Sequence, residues 1–162
     1  VTVEFVVTTE LTAPIEVAFD LSLDIDLHLA SMSPSGERAI AGVTTGRIGL
    51  GEEVTWRARH FHIPFTMTSR ITELDRPNRF VDEQVGGPFR SFRHEHQFAE
   101  IGGGCRMTDR VRFVAPFGPI GRIVERALLG RYLRRLIETR NAYLAKTIRI
   151  PPVTGRPDSS AV

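Results

Sequence analysis

The sequence predicts an α+β fold: one strand, two short helices, six further antiparallel strands and a long C-terminal helix. Three observations predict it. Residues 37–115 break into segments of alternating apolar and polar side chains separated by short turn signals, and short loops between successive strands imply an antiparallel meander. Residues from about 119 to 146 carry apolar side chains at three- and four-residue spacing, the period of an amphipathic helix. Between the first strand and the meander lie two short helical stretches ended by Ser33, Pro34, Ser35 and Gly36.

The elements follow in order. Val3, Phe5, Val7 and Thr9 alternate with polar residues, so a strand is expected over about 1–12. Thr12 is the expected N-cap of the first helix, Pro14 sits in its first turn, and Val17, Ala18 and Leu21 form its apolar stripe. A second helical piece runs from about Asp24 to Met32. Strands are then expected at about 37–47, 52–61, 64–75, 79–86, 91–101 and 105–115. Their turns fall at Gly49–Gly51, Ile63–Pro64, Asp75–Asn78, Gly86–Pro88 and Gly102–Gly104.

The last helix begins after Phe117-Gly118-Pro119 and runs to about Lys146. Its Ile120, Val124 and Leu128 stripe is expected to be buried, with Arg122, Arg126, Arg134 and Arg135 on the other side. Gly130 sits mid-helix at a cost of about 1 kcal/mol relative to Ala, a position suited to close approach to the sheet or a bend. Residues 1–148 read as one domain, and 149–162, rich in Pro, Gly and Ser, read as a tail.

Composition narrows the function. The chain has 162 residues, 41% hydrophobic and 25% charged, which is ordinary for a globular protein with a real core. A net charge of +2 is too small for a nucleic-acid binder, and no apolar run is long enough to span a bilayer. A cytoplasmic location follows as the expectation. Cys105 is the single cysteine, which excludes an internal disulfide and a cysteine-cluster metal site. Lys146 is the single lysine among 21 basic residues, so Schiff-base chemistry in a pocket is not expected. The arginine bias fits a GC-rich bacterial genome.

The stretch from Phe80 to Phe113 is the most informative. Strand side chains alternate between two faces, and the apolar residues identify the inner one. Phe80, Asp82 and Gln84 share a parity, as do Phe92, His94, His96 and Phe98, and Met107, Asp109, Val111 and Phe113. Three neighbouring strands therefore send titratable groups inward, where an unpartnered polar group costs a few kcal/mol, roughly. A hairpin turning at Gly102–Gly104 puts His96 opposite Asp109. One turning near Gly87–Phe89 puts Asp82 opposite His94 or His96. The row Asp82, His94, His96 and Asp109 is thus either a set of general acids and bases or a satisfied network that fixes strand register. No metal and no cofactor are expected, because Asp–His pairing satisfies the same atoms.

The other inward residues are Val54, Trp56, Ala58 and His60 on one strand and Phe65, Met67, Ser69 and Ile71 on the next. Arg57, Arg59, Arg70, Arg93, Arg106, Arg110 and Arg112 fall on the outer face. His62 reads as a rim or turn residue and His28 as a helix-surface or lid residue. Cys105 has no base placed beside it and reads as inert.

This order of elements resembles the helix-grip fold of the SRPBCC superfamily, which includes START domains, the birch pollen allergen type and bacterial polyketide cyclase/dehydrase proteins. The most specific stretch comprises Phe80 and Asp82, Gly87-Pro88-Phe89, His94 and His96, Met107 and Asp109, and Pro116-Phe117-Gly118. The resemblance covers about residues 1–147. It implies a seven-stranded curved sheet wrapped around the long helix, with a deep cavity between them closed by the two short helices. A hydrophobic or amphipathic small molecule is the implied partner, and the protein is expected to be a monomer or homodimer. Trp56, His60, Met67, Ser69, Gln84, Phe92 and Tyr132 are the candidate ligand-binding residues. Two functions remain open: a cyclase/dehydratase-type enzyme using His94, His96, Asp82 and Asp109, or a carrier or sensor in which that row only orients the ligand or braces the sheet. A collapsed interior would instead indicate a protein-interaction module.

Overall fold

The computed structural model describes residues 2–60, 63–115 and 122–148, the side chains of Pro34, His60 and residues 122–127 excepted. The chain runs β1 (Val3–Leu11), α1 (Ile15–Ser22), α2 (Ile25–Ser31), a single 3-10 turn (Ser33–Ser35), β2 (Arg38–Gly42), β3 (Glu53–His60), β4 (Ile63–Asp75), β5 (Arg79–Gly86), β6 (Ser91–Ile101), β7 (Gly104–Val114) and α3 (Arg122–Thr147). The seven strands form one antiparallel sheet in the order β1-β7-β6-β5-β4-β3-β2. Register shifts between β2 and β3 and at two places between β4 and β5 bend it, as bulges do. This is the helix-grip architecture expected from the sequence.

Several local expectations change. The first helix opens at Ile15 with Pro14 in the N-cap position, and Thr12 does not cap it. Its buried face is Ile15, Ala18, Phe19 and Ser22, whereas Val17 is exposed. The second helix is capped by Asp24, whose side chain accepts from Leu27 N at 2.8 Å. The strand expected over 37–47 stops at Gly42. Gly42 adopts φ 74°, and a Cβ there would lie 2.1 Å from the Glu53 carbonyl oxygen. The chain leaves the sheet at that point and is pinned to α2 instead, where Asp26 accepts from Gly46 N at 2.8 Å.

The buried stripe of α3 also differs from the expected one. Ile120 lies outside the described residues, as does the Val124 side chain, and Leu128 is 60% exposed. The helix instead turns Leu129, Leu133 and Ile137 to one core cluster, and Leu144, with Ile148 just past its end, to another. Gly130 allows the close approach read from the sequence, since a Cβ there would lie 3.4 Å from Val3 on β1. The tail 149–162, His62 and the Pro116-Phe117-Gly118 stretch lie outside the described residues.

On the outer face of the sheet the arginines meet acids. Arg93 bonds Glu83 and Glu73, Arg112 bonds Glu4, and Arg70 bonds Glu53. Exposed pairs of this kind are worth about 0–1 kcal/mol each, so they do not position the site.

Candidate functional site

The alternation read from the sequence places the polar row where parity requires. Phe80 seals β5 into the core, Phe98 seals β6, and Met107, Val111 and Phe113 seal β7. Asp109 is wholly buried among them, and His94 and His96 nearly so. Across the sheet Asp82 opposes His94, and His96 opposes Asp109.

The hydrogen bonds run on the diagonals. His94 Nε2 donates to Asp109 Oδ1 at 2.8 Å, and His96 Nε2 reaches Asp82 Oδ2 at 3.2 Å. His96 Nδ1 also lies 2.8 Å from Asp109 Oδ1, but out of line for a hydrogen bond, and it has no aligned partner among the described residues. His94 Nδ1 lies 3.7 Å from Asp82 Oδ2. Diagonal neighbours on a sheet are within reach of long side chains. The His96 ring stacks on Phe80, its neighbour on β5, at 4.1 Å, and the two imidazoles lie 3.8 Å apart.

The row continues into α3. Asn141 Nδ2 donates to Asp109 Oδ2 at 2.6 Å and lies 3.1 Å from Thr9 Oγ1 on β1. Beside it, buried Arg140 donates to the Ser22 carbonyl at 3.1 Å. The sequence reading overlooked both residues. The signal was present: Asn141 falls four residues after Ile137 and three before Leu144, a polar residue on an apolar stripe.

These contacts set the charges. Burial would raise the Asp109 carboxyl, but bonding to His94 and the charge of His96 outweigh it and hold Asp109 well below the usual carboxylate range. Burial also opposes ionisation of Asp82, and the His96 bond with the charges of His94, His96 and Arg140 keeps it lowered. The two imidazoles separate. Burial and the neighbouring His96 push His94 down despite its bond to Asp109. His96 is also disfavoured by burial, but Asp109 and Asp82 together raise it. One imidazole is therefore biased towards the neutral form and the other towards the cation.

A cavity of about 420 Å³ lies between sheet and helix. Asp82, His94, His96 and Arg140 line it together with Trp56, Met67, Phe92 and Tyr132. Its walls are mostly apolar, as in small-molecule sites generally. Ser69 lines it too, and its buried hydroxyl has no hydrogen-bond partner among the described residues. Tyr132 is held above its ordinary pKa by burial and the charge of Glu37. His28, expected on a helix surface or a lid, bonds Glu37 at 2.6 Å and packs on Trp56 with ring centroids 4.4 Å apart.

Two expected site residues are placed differently. Gln84 does not line the cavity. Its amide is spent on the β5–β6 turn, donating to Phe89 O at 2.8 Å and accepting from Phe89 N at 3.2 Å. Asp109 lies behind the imidazoles and does not reach the cavity. The His60 side chain lies outside the described residues. Cys105 is buried, and burial raises its thiol pKa.

Asp82, His94 and His96 present ligand atoms within 4.8 Å of one another, a spacing a metal ion can use. The same atoms are those engaged in the Asp–His contacts above. Among the described residues no helix is long and apolar enough to cross a membrane.

Comparison with known proteins agrees with this fold. The model of the family described as polyketide cyclase / dehydrase and lipid transport matches residues 2–149, and the chain belongs to that family. No curated protein matches the sequence significantly. Among solved structures, TTHA0849 from Thermus thermophilus superposes with a TM-score of 0.74 at 18% identity, covering 90% of this chain and 97% of that one. The Zhui aromatase/cyclase from Streptomyces sp. R1128 superposes with a TM-score of 0.75 at 15% identity, covering 96% and 100%. Major latex-like protein 151 from Panax ginseng gives 0.65 at 13% identity, covering 92% and 99%. At these identities the likeness is one of fold.

Proposed function

We propose that the protein binds a hydrophobic or amphipathic small molecule in the central cavity, and that Asp82, His94 and His96 exchange protons with it in a cyclase/dehydratase-type reaction. One observation carries the reading: neighbouring strands send titratable groups inward to a cavity whose walls are mostly apolar. Asp82 is the acid of the row with accessible surface, about a fifth of its side chain, and it contacts the ligand. Its carboxylate acts as the base that takes a proton from an acidic carbon or hydroxyl. His96, biased towards the cation, returns a proton to a developing alkoxide or leaving hydroxyl. Asp109 is a positioning residue, holding His94 in one tautomer while Asn141 holds Asp109. Trp56, Met67, Phe92 and Tyr132 shape the apolar body of the site.

The carrier reading has an observation of its own. His94 and His96 are almost fully buried, and Phe80 is stacked on His96, as a bracing network requires. Both readings share the cavity and differ in turnover. Extraction and mass spectrometry of material co-purifying with the native protein would identify the ligand. Conversion of that ligand by the wild type, lost in Asp82→Asn with binding retained, supports the enzyme. Recovery of the unchanged ligand from the wild type supports the carrier. Binding of the neutral fluorescent probe N-phenyl-1-naphthylamine should be abolished by Ala58→Phe, which fills the cavity from β3. Undiminished binding would place the site elsewhere.

A further inference from the structure

We infer that Arg140 forms a subsite for an acidic head group, so that the cavity takes an amphiphile bearing a carboxylate or similar oxyanion. This rests on the cavity being the ligand site. Arg140 is the last cavity-lining residue of the α3 face that carries Leu129, Tyr132, Leu133, Leu136 and Ile137. It is buried, at 7% relative exposure.

A guanidinium has five N–H donors in a fixed fork. Two contacts engage it here: the Ser22 carbonyl at 3.1 Å, and Asn141 Oδ1 at 3.5 Å, the limit of a hydrogen bond. Among the described residues no carboxylate forms an ion pair with it. Asp82 feels its charge without bonding it, and Asp82 is already met by His96. A buried guanidinium left without an acid is costly. A bidentate carboxylate is the group whose geometry matches the donors that remain.

The surroundings assign the rest of the ligand. From Arg140 the helix face is apolar up to Leu128, which borders the cavity and is 60% exposed, so it marks the mouth. Those roughly twelve residues of helix span about 18 Å. The acid would sit on the floor beside the Asp–His row, with the apolar body reaching towards Leu128 and Phe89.

The test compares two probes of one chain length, dodecanoate and 1-dodecanol, by displacement of N-phenyl-1-naphthylamine at neutral pH. The wild type should prefer dodecanoate by about tenfold or more, the equivalent of one charge-assisted hydrogen bond. Arg140→Met should abolish the preference, read as the ratio of the two affinities within the variant, and Arg140→Lys should keep part of it. Equal affinity for both probes in the wild type overturns the inference and leaves the cavity reading intact. A preference surviving in Arg140→Met also overturns it. Failure of both probes to bind the wild type overturns both readings, and binding of dodecanol alone overturns the inference. The wild-type comparison stands even if Arg140→Met does not fold.

Discussion

Asn141 on the long helix donates to Asp109 on β7 at 2.6 Å, and Asp109 in turn receives His94 at 2.8 Å. This relay ties the helix to the sheet through polar atoms with almost no solvent contact. The helix and the floor of the cavity therefore depend on one carboxylate. Asp109→Ala should destabilise the protein by about 3 kcal/mol, because it strands both the imidazole and the amide. Asn141→Leu should cost about 1–3 kcal/mol by leaving one carboxylate oxygen unpaired. Urea denaturation measures both, and a loss below about 0.5 kcal/mol in Asp109→Ala would show that the relay does not brace the fold.

Stability should depend on pH in a way the two imidazoles divide. His94 is lowered in the fold. The unfolded chain then binds more protons as pH falls below the ordinary histidine value of about 6.5, and stability declines on that side. His96 is raised. Its contribution is complete below about 6.5 and is lost as pH rises through its folded pKa. Together they place a maximum near about pH 6.5, with a further loss below about pH 4 as Asp82 and Asp109, both lowered, become protonated. Urea midpoints measured from about pH 3 to about pH 8 should show this maximum. His96→Gln should flatten the alkaline side, and an unchanged profile would contradict the opposed shifts.

The Gln84 amide acts as a two-pronged clamp on Phe89 at the turn beside the cavity. Gly87 in that turn has φ 153°, and a Cβ there would lie 2.6 Å from Gln84 Oε1. Gln84→Ala should cost about 1 kcal/mol and speed amide exchange at Phe89 well beyond that of β6 and β7. Equal protection of Phe89 in the variant would show that the turn holds itself.

Gly130 faces Val3, and a methyl group added there would meet it at 3.4 Å, the near edge of ordinary contact. Gly130→Ala should therefore stabilise the protein by up to about 1 kcal/mol through helix propensity, seen as a higher Tm. Gly130→Leu should destabilise it by pushing α3 off β1. A lower Tm in Gly130→Ala would mean that the helix cannot make the small shift required.

The sequence by itself determined the strands, their parity and the inward direction of Asp82, His94, His96 and Asp109. Period-two alternation and glycine turns are local, and the apolar anchors on each strand leave one register. The resemblance to the helix-grip family added that Trp56, Met67 and Tyr132 border the space under the helix. Tertiary structure decided which partners bond. His94 and His96 bond the diagonal carboxylates, with Phe80 stacked on the His96 ring. It decided that Gln84 serves the turn and that β2 ends at Gly42 against the Glu53 carbonyl. It also decided which helix face is buried: Leu128 overhangs the mouth, while Arg140 and Asn141 enter the core. The helix pattern alone could not show this, since a helical period leaves the face to be chosen by whatever packs against it. The groups that meet Asn141 and Arg140 lie 32 and 118 residues away along the chain, at Asp109 and Ser22, and only folding brings them together.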